Sequence, residues 1–170
     1  MISAPEPLAQ HHVLDGFDCG EPSLDAWLKR RSAGNQFSGS SRTYVVCSDN
    51  AVIGYYCLAA GALGHADATG PMRRNRPDPI PVMLLGRLAV HRLHHQSGLG
   101  TALLRDAVGR TLQVAQIAGV AALLAQAISQ DAKRFYRSRG FIESPVKPML
   151  MCLMLDTVRQ AAKRPPQESV

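Results

Sequence analysis

The run "VMLLGRLAVHRLHHQSGLGTALL", residues 82–104, is the most restrictive stretch of this 170-residue chain. Its first nine residues are nearly all apolar, the composition of a strand covered on both faces in the middle of a sheet. The strand exits into a histidine-rich turn, passes Gly98 and Gly100, and enters a helix whose apolar face carries Leu104, Val108, Leu112 and Ala115. Such a junction leaves N–H groups free at a helix N-terminus, where a negative group is welcome, and glycine removes the Cβ that would hold that group off. Thr101 adds a hydroxyl. The same glycines also serve a plain tight connection, so the turn alone leaves both readings open.

Several better-defined sites are excluded. A Walker A loop needs a lysine and a hydroxyl after its last glycine, and "GLGTAL" has no lysine. A dinucleotide fingerprint needs a third glycine where Leu103 stands. His91 and His95 have the spacing of a helical zinc pair, but they lie in a strand exit and a turn with no cysteine or carboxylate close by, so no metal is expected. Cys19, Cys47, Cys57 and Cys152 are far apart without a CxxC pair and read as reduced core residues.

The rest of the chain places this junction in an α/β context. A first strand is expected around Leu8 to Leu14. Within "FDCGEPSLDAWLKRRS", turn chemistry precedes Leu24, Trp27 and Leu28 at helical spacing. "RTYVVCSDNAVIGYYCLAAGAL" reads as a hairpin turning at Asp49 and Asn50. The segment from Gly64 to Pro81 is too rich in glycine, proline and charge for regular structure. Beyond the glycine turn, "GVAALLAQAI" reads as a strand, "SQDAKRFYRSRG" as a short helix ending on Gly140, and "PMLMCLML" as a last strand. The order β-α-ββ-β-α-β-α-β predicts one mixed sheet flanked by helices, in a single domain over residues 1–160. A polar tail over 161–170 follows, with fraying expected from Thr157 on. No apolar run reaches the roughly 20 residues that span a bilayer, and the N-terminus does not read as a signal peptide, so a cytoplasmic protein is expected.

Nineteen lysines and arginines against thirteen acidic residues give a net charge of +6, which favours an anionic partner. Three basic groups stand out: Lys29, Arg30 and Arg31 at the end of the first helix; Arg73, Arg74 and Arg76 before the central strand; Lys133, Arg134, Arg137 and Arg139 around Tyr136. The first group also suits a helix C-terminus. If the groups share a face, they form a surface that tracks phosphates.

The glycine turn and the downstream motif "DAKRFYRSRGF" together resemble the GCN5-related N-acetyltransferase (GNAT) family. The resemblance implies a sheet split by a bulge and the cosubstrate acetyl-CoA. It implies that the amides of His95, Gln96, Ser97, Gly98, Leu99, Gly100 and Thr101 take the coenzyme's pyrophosphate, with His95 standing where the family has Gln or Arg. It also implies that Leu88, Ala89 and Val90 pair with the pantetheine arm and that Tyr136 is catalytic. "FDCGEPSLDAWLKRRSAGNQ", "RRNRPDPIPV" and "LGRLAV" are similar to the GNAT toxins of type II toxin-antitoxin modules, over roughly residues 10–155. That likeness implies acetylation of the α-amino group of aminoacyl-tRNA, a block on translation, and neutralisation by a ribbon-helix-helix antitoxin. A homodimer is compatible with it.

The chemistry suits these residues. Moving an acetyl group from a thioester to an amine requires a neutral amine, a stabilised oxyanion and a proton for the leaving thiolate. A tyrosine near pKa 10 and a thiol near 8.5 are close enough for Tyr136 to supply that proton, and the Val90 N–H can hold the oxyanion. Between Pro79 and Gln130 the only acidic residue is Asp106, inside a helix. A lysine amine near pKa 10.4 would need a strong base, whereas an α-amine near 7.7–8.0 is already partly neutral, so an α-amine is the better substrate. Lys29, Arg30, Arg73, Arg74, Arg76, Lys133, Arg134 and Arg137 are then the candidate tRNA contacts. Two other readings stay open: a GNAT enzyme for a small amine or protein N-terminus, and a non-catalytic module binding coenzyme A or nucleic acid.

Overall fold

The computed structural model describes residues 1–164, so the part of the expected tail from residue 165 on lies outside the described residues. Seven strands form one mixed sheet flanked by helices, in the order β1 (Glu6–Pro7), β2 (Arg42–Ser48), β3 (Ala51–Leu63), β4 (Ile80–Val90), β5 (Ala122–Gln126), β7 (Leu150–Met154) and β6 (Ile142–Glu143). The chain groups into two compact units: Met1–Ala60 with Leu84–Arg110, and Gly61–Met83 with the chain from Thr111 onward.

In the first unit, β2 and β3 form the expected hairpin. Asp49, at positive φ, starts its turn, and Val46/Cys47 carry a register shift. β1 pairs antiparallel with β2. The strand expected over Leu8–Leu14 is not one: only Glu6–Pro7 pairs as β1, and Val13 makes a single bridge to Ala51. Helix α1 (Pro22–Arg30) lays Leu24, Trp27 and Leu28 into a core with Phe17, Val45, Tyr55 and Ala89. Its stop at Arg31 runs into α2 (Ser32–Ser38), where the sequence had offered no apolar period.

Helix α4 (Leu99–Ala115) packs its start onto β3 at Gly54. A Cβ there would come within 3.0 Å of Leu103 and 3.3 Å of Leu99, so any larger residue would have to press those side chains outward for the helix to lie so close. Further along, Asp106 accepts the hydroxyl of buried Tyr56 and the Nε–H of Arg110 at 2.9 Å, while the Arg110 guanidinium lies 4.0 Å over the Tyr44 ring. Burial and the bond to Asp106 push the Tyr56 hydroxyl well above the usual phenol range, so this network stays intact at neutral pH.

In the second unit, β5, β7 and β6 pair antiparallel in register, Leu124 opposite Cys152 and Ile142 opposite Cys152. The segment expected to be irregular holds a short 3-10 turn, His65–Asp67, and a one-turn helix α3 (Gly70–Arg73). It is braced by Asp67 to Lys147 at 2.9 Å, by the Ser144 hydroxyl donating to the Asp67 carbonyl at 2.7 Å, and by Arg76 to Asp156 at 3.0 Å. Helix α5 (Gln130–Ser138) matches its motif. Over Thr157–Lys163 the expected fraying is overturned: α6 (Leu155–Lys163) buries Leu155 completely, and its Asp156 anchors Arg76 and Arg159.

All four cysteines are free and buried. Burial pushes the Cys19 thiol up to about 12 and those of Cys47 and Cys152 up to about 11, the signature of inert core thiols. Among the described residues no helix is long and apolar enough to cross a membrane.

Candidate active site

The glycine junction is built by the first unit. At the end of β4 the His91 N–H donates to the Ile53 carbonyl at 2.8 Å, so strand alternation turns the N–H and C=O of Val90 to the other edge. His91 then caps the 3-10 turn Arg92–His94: its Nδ1 accepts from the Leu93 N–H at 3.1 Å, and its Nε2–H donates to the Gly16 carbonyl at 3.2 Å. Both ring nitrogens are spent within the chain, which accounts for this histidine without a metal.

The turn is tied down by "FDCG". Asp18 pairs with Arg92 at 2.8 Å, and the Asp18 carbonyl accepts the Arg92 N–H at 2.9 Å. Asp18 also accepts the Gly20 N–H at 3.0 Å, and Asp25 accepts the Cys19 N–H at 2.9 Å. Phe17 meets the His91 ring edge-on at 6.0 Å. This function of the motif could not be read from sequence, because its partner Arg92 lies far along the chain.

Past the brace, Gln96 and Gly98 take left-handed φ values of +60° and +83° on either side of Ser97. Such alternation curls successive N–H groups inward into an anion-binding nest. Among the described residues, the N–H groups of Gln96, Ser97, Gly98, Leu99 and Gly100 donate to no acceptor in the protein. A Cβ built on Gly98 would meet no atom within 4 Å, so that side of the turn is open. The Ser97 hydroxyl is spent on the His94 carbonyl. The His95 imidazole turns back and donates its Nε2–H to the Val90 carbonyl at 2.7 Å, so its side chain serves the strand edge rather than the turn. Asp106, the only acid of this stretch, is spent on Tyr56 and Arg110.

In the second unit, α5 starts on Ser129, whose hydroxyl accepts the Ala132 N–H at 3.1 Å. It ends where Gly140, at φ +92°, folds Phe141 back under the helix. The Tyr136 ring, 6% exposed, is held between Phe141 at 5.2 Å and Phe135 at 5.4 Å. Glu143 accepts from both Lys133, at 3.1 Å, and Arg137, and these contacts hold its carboxyl below the usual range.

These pairings sort the candidate tRNA contacts. Lys133 is buried against Glu143, and Arg137 shares that carboxylate. Arg134 pairs with Asp131, and Arg76 with Asp156. Arg73 reaches the His65 carbonyl at 3.4 Å. Exposed Lys29, Arg30 and Arg74 have no such partner among the described residues.

Residues 39–143 match the family model described as an acetyltransferase (GNAT) domain. The chain is 47% identical over 155 residues to a tRNA-acetylating toxin of Mycobacterium tuberculosis, covering 91% of this chain and 93% of that protein. Among solved structures, AtaT complexed with acetyl-methionyl-tRNA superposes with a TM-score of 0.89 at 24% identity, covering 96% of this chain and all of that one (100%). A tyrosine-to-phenylalanine mutant of AtaT, bound to the C-terminus of the antitoxin AtaR and acetyl-CoA, superposes at 0.82 and 23% identity, covering 96% and 99%.

Proposed function

The chain belongs to the GNAT acetyltransferase family, and from that premise we propose that it is a toxin that moves acetyl from acetyl-CoA to the α-amino group of aminoacyl-tRNA, which blocks translation. The observation that carries this reading is the row of five N–H groups from Gln96 to Gly100 that find no acceptor among the described residues, set in a chain that matches a tRNA-acetylating toxin along nearly its whole length. The cradle fits a pyrophosphate: its donors are free, its glycine side is open, and no acidic residue occupies the first turn of α4.

When bound, acetyl-CoA supplies an activated acetyl thioester. Leu88, Ala89 and Val90 receive the pantetheine arm along the strand edge, and the N–H groups of Gln96 to Gly100 orient the coenzyme; the His95 amide expected among them is instead spent on the Arg92 carbonyl at 3.3 Å. The Val90 N–H holds the carbonyl oxygen as negative charge develops on it. As the C–N bond forms and the C–S bond breaks, the Tyr136 hydroxyl gives its proton to the leaving thiolate, and the amine's proton passes to water. With Asp106 spent on Tyr56 and Arg110, a base-free route suits an amine that is already partly neutral, as an aminoacyl ester is. Lys29, Arg30, Arg73 and Arg74 steer the RNA backbone. The partner that neutralises the enzyme is an antitoxin of the ribbon-helix-helix class, the active form is compatible with a homodimer, and the substrate places its action in the cytoplasm.

Labelled acetyl-CoA, offered with a pool of aminoacyl-tRNA, free amines and peptides, tests this. Label should enter aminoacyl-tRNA, and Tyr136→Phe should lower kcat by about a hundredfold with the KM for acetyl-CoA little changed. Label on small amines or peptides alone would overturn the tRNA assignment, and transfer to nothing would overturn the enzyme.

A further inference from the structure

Among the described residues, four lysines and arginines are not exposed: Arg76, Arg87, Arg110 and Lys133. Three of them meet a carboxylate, Asp156 at 3.0 Å, Asp106 at 2.9 Å and Glu143 at 3.1 Å. Arg87 meets none. A half-buried guanidinium gives up part of its hydration, and a fold that leaves it without a counter-ion gains nothing from the charge itself.

Arg87 is nevertheless held in place. Its guanidinium lies 4.5 Å over the ring of buried Trp27. Trp27 in turn stacks on Tyr55 at 5.9 Å and 10°, and the Tyr55 hydroxyl is fixed to the Leu24 carbonyl at 2.7 Å. The Cys57 thiol is its polar neighbour, a weak acceptor. Strand alternation sets Arg87 on the face of Ala89, which belongs to the same core as Trp27, Tyr55 and Cys57. A planar cation stacked on an aromatic pair, with most of its five donors uncommitted, is pre-organised for two-point contact with an oxyanion.

We propose that Arg87 binds a backbone phosphate at the acceptor end of the aminoacyl-tRNA. The inference rests on the acetyltransferase reading above and deepens it. An alternative source of the same chemistry is the coenzyme, whose pyrophosphate that reading assigns to the turn. Arg87 lies on the far side of Val90 from the turn, about 10 Å back along the strand from the N–H assigned to the thioester oxygen, so a pyrophosphate held in the turn does not come to it. The anion that does is a phosphate close to the attacking amine, at the acceptor end of the tRNA.

The test compares wild type, Arg87→Gln and Arg87→Lys in steady-state acetylation of aminoacyl-tRNA across a salt series, with acetyl-CoA affinity measured directly by calorimetry. Arg87→Gln should raise the KM for aminoacyl-tRNA about tenfold at near-normal kcat and leave acetyl-CoA affinity within about twofold. It should also flatten the dependence of log KM on log salt by about 0.7, the loss of one phosphate contact on a single strand, which a purely structural defect would not do. Arg87→Lys keeps the charge without the fork, should fall between, and carries the test if Arg87→Gln does not fold. An unchanged KM and salt slope would overturn the inference, and so would a matching loss of acetyl-CoA affinity, which would assign the anion to the coenzyme. A wild-type protein that labels no aminoacyl-tRNA overturns the function and this inference together, whereas a labelling wild type with indifferent variants overturns the inference alone.

Discussion

Gly98 concentrates the chemistry of the turn in one residue. Its φ of +83° strains any side chain, yet a Cβ there would touch nothing in the protein. Gly98→Ala should therefore cost about 1–2 kcal/mol of stability from backbone strain and should raise the KM for acetyl-CoA severalfold while kcat at saturation stays near normal. Denaturant melts and paired KM and kcat measurements check both halves. The glycine was legible in the sequence as a phosphate-friendly turn. The roles of the histidines were not, because a side chain's partner depends on what the fold brings beside it. His91 is committed to Leu93 and Gly16, and His95 to the Val90 carbonyl. Arg87 escaped notice for the same reason, since an absent carboxylate can be seen only in three dimensions.

Helix α5 shows how an element can convert apparent binding residues into fastenings. Lys133 and Arg137 flank Tyr136 in sequence, and both are drawn to Glu143 on β6. The short β6 pairing, Ile142 opposite Cys152, was invisible to periodicity because two residues carry no period. Glu143 has its carboxyl lowered by its bonds to Lys133 and Arg137, so it stabilises the fold above the unfolded glutamate pKa near 4.3 and loses that contribution as pH falls through its own lower value. In thermal melts Glu143→Gln should lie below wild type at neutral pH, and the gap should close only once pH drops below the ordinary glutamate range. A gap independent of pH would contradict the pairing. Helices with a clear apolar stripe, α1 and α4, were legible, as was the hairpin at Asp49 and Asn50. α6 was not, because its start at Leu155 continues the apolar strand β7 and the polar residues after it resemble a tail.

At the scale of the whole molecule, a net charge of +6 pointed to an anionic partner without locating the contacts. The structure divides that charge into fastenings, such as Arg76, Arg110 and Lys133, and exposed cations that meet no carboxylate among the described residues, Lys29, Arg30 and Arg74 among them. The second group should set the salt dependence. Removing Lys29 and Arg30 together should weaken aminoacyl-tRNA binding and flatten the slope of log KM against log salt by about 1–2, with acetyl-CoA affinity unchanged. The family was legible from two motifs, because a coenzyme cradle and its tyrosine are local patterns. The proposed substrate rests on likeness to relatives, since an α-amine leaves no signature beyond a missing base. The most direct test of the central claim is mass spectrometry of the aminoacyl-adenosine released by nuclease from aminoacyl-tRNA after incubation with the protein and acetyl-CoA. The account predicts a single acetyl group on the α-amine, absent with Tyr136→Phe; unmodified aminoacyl-adenosine with the wild-type protein would contradict it.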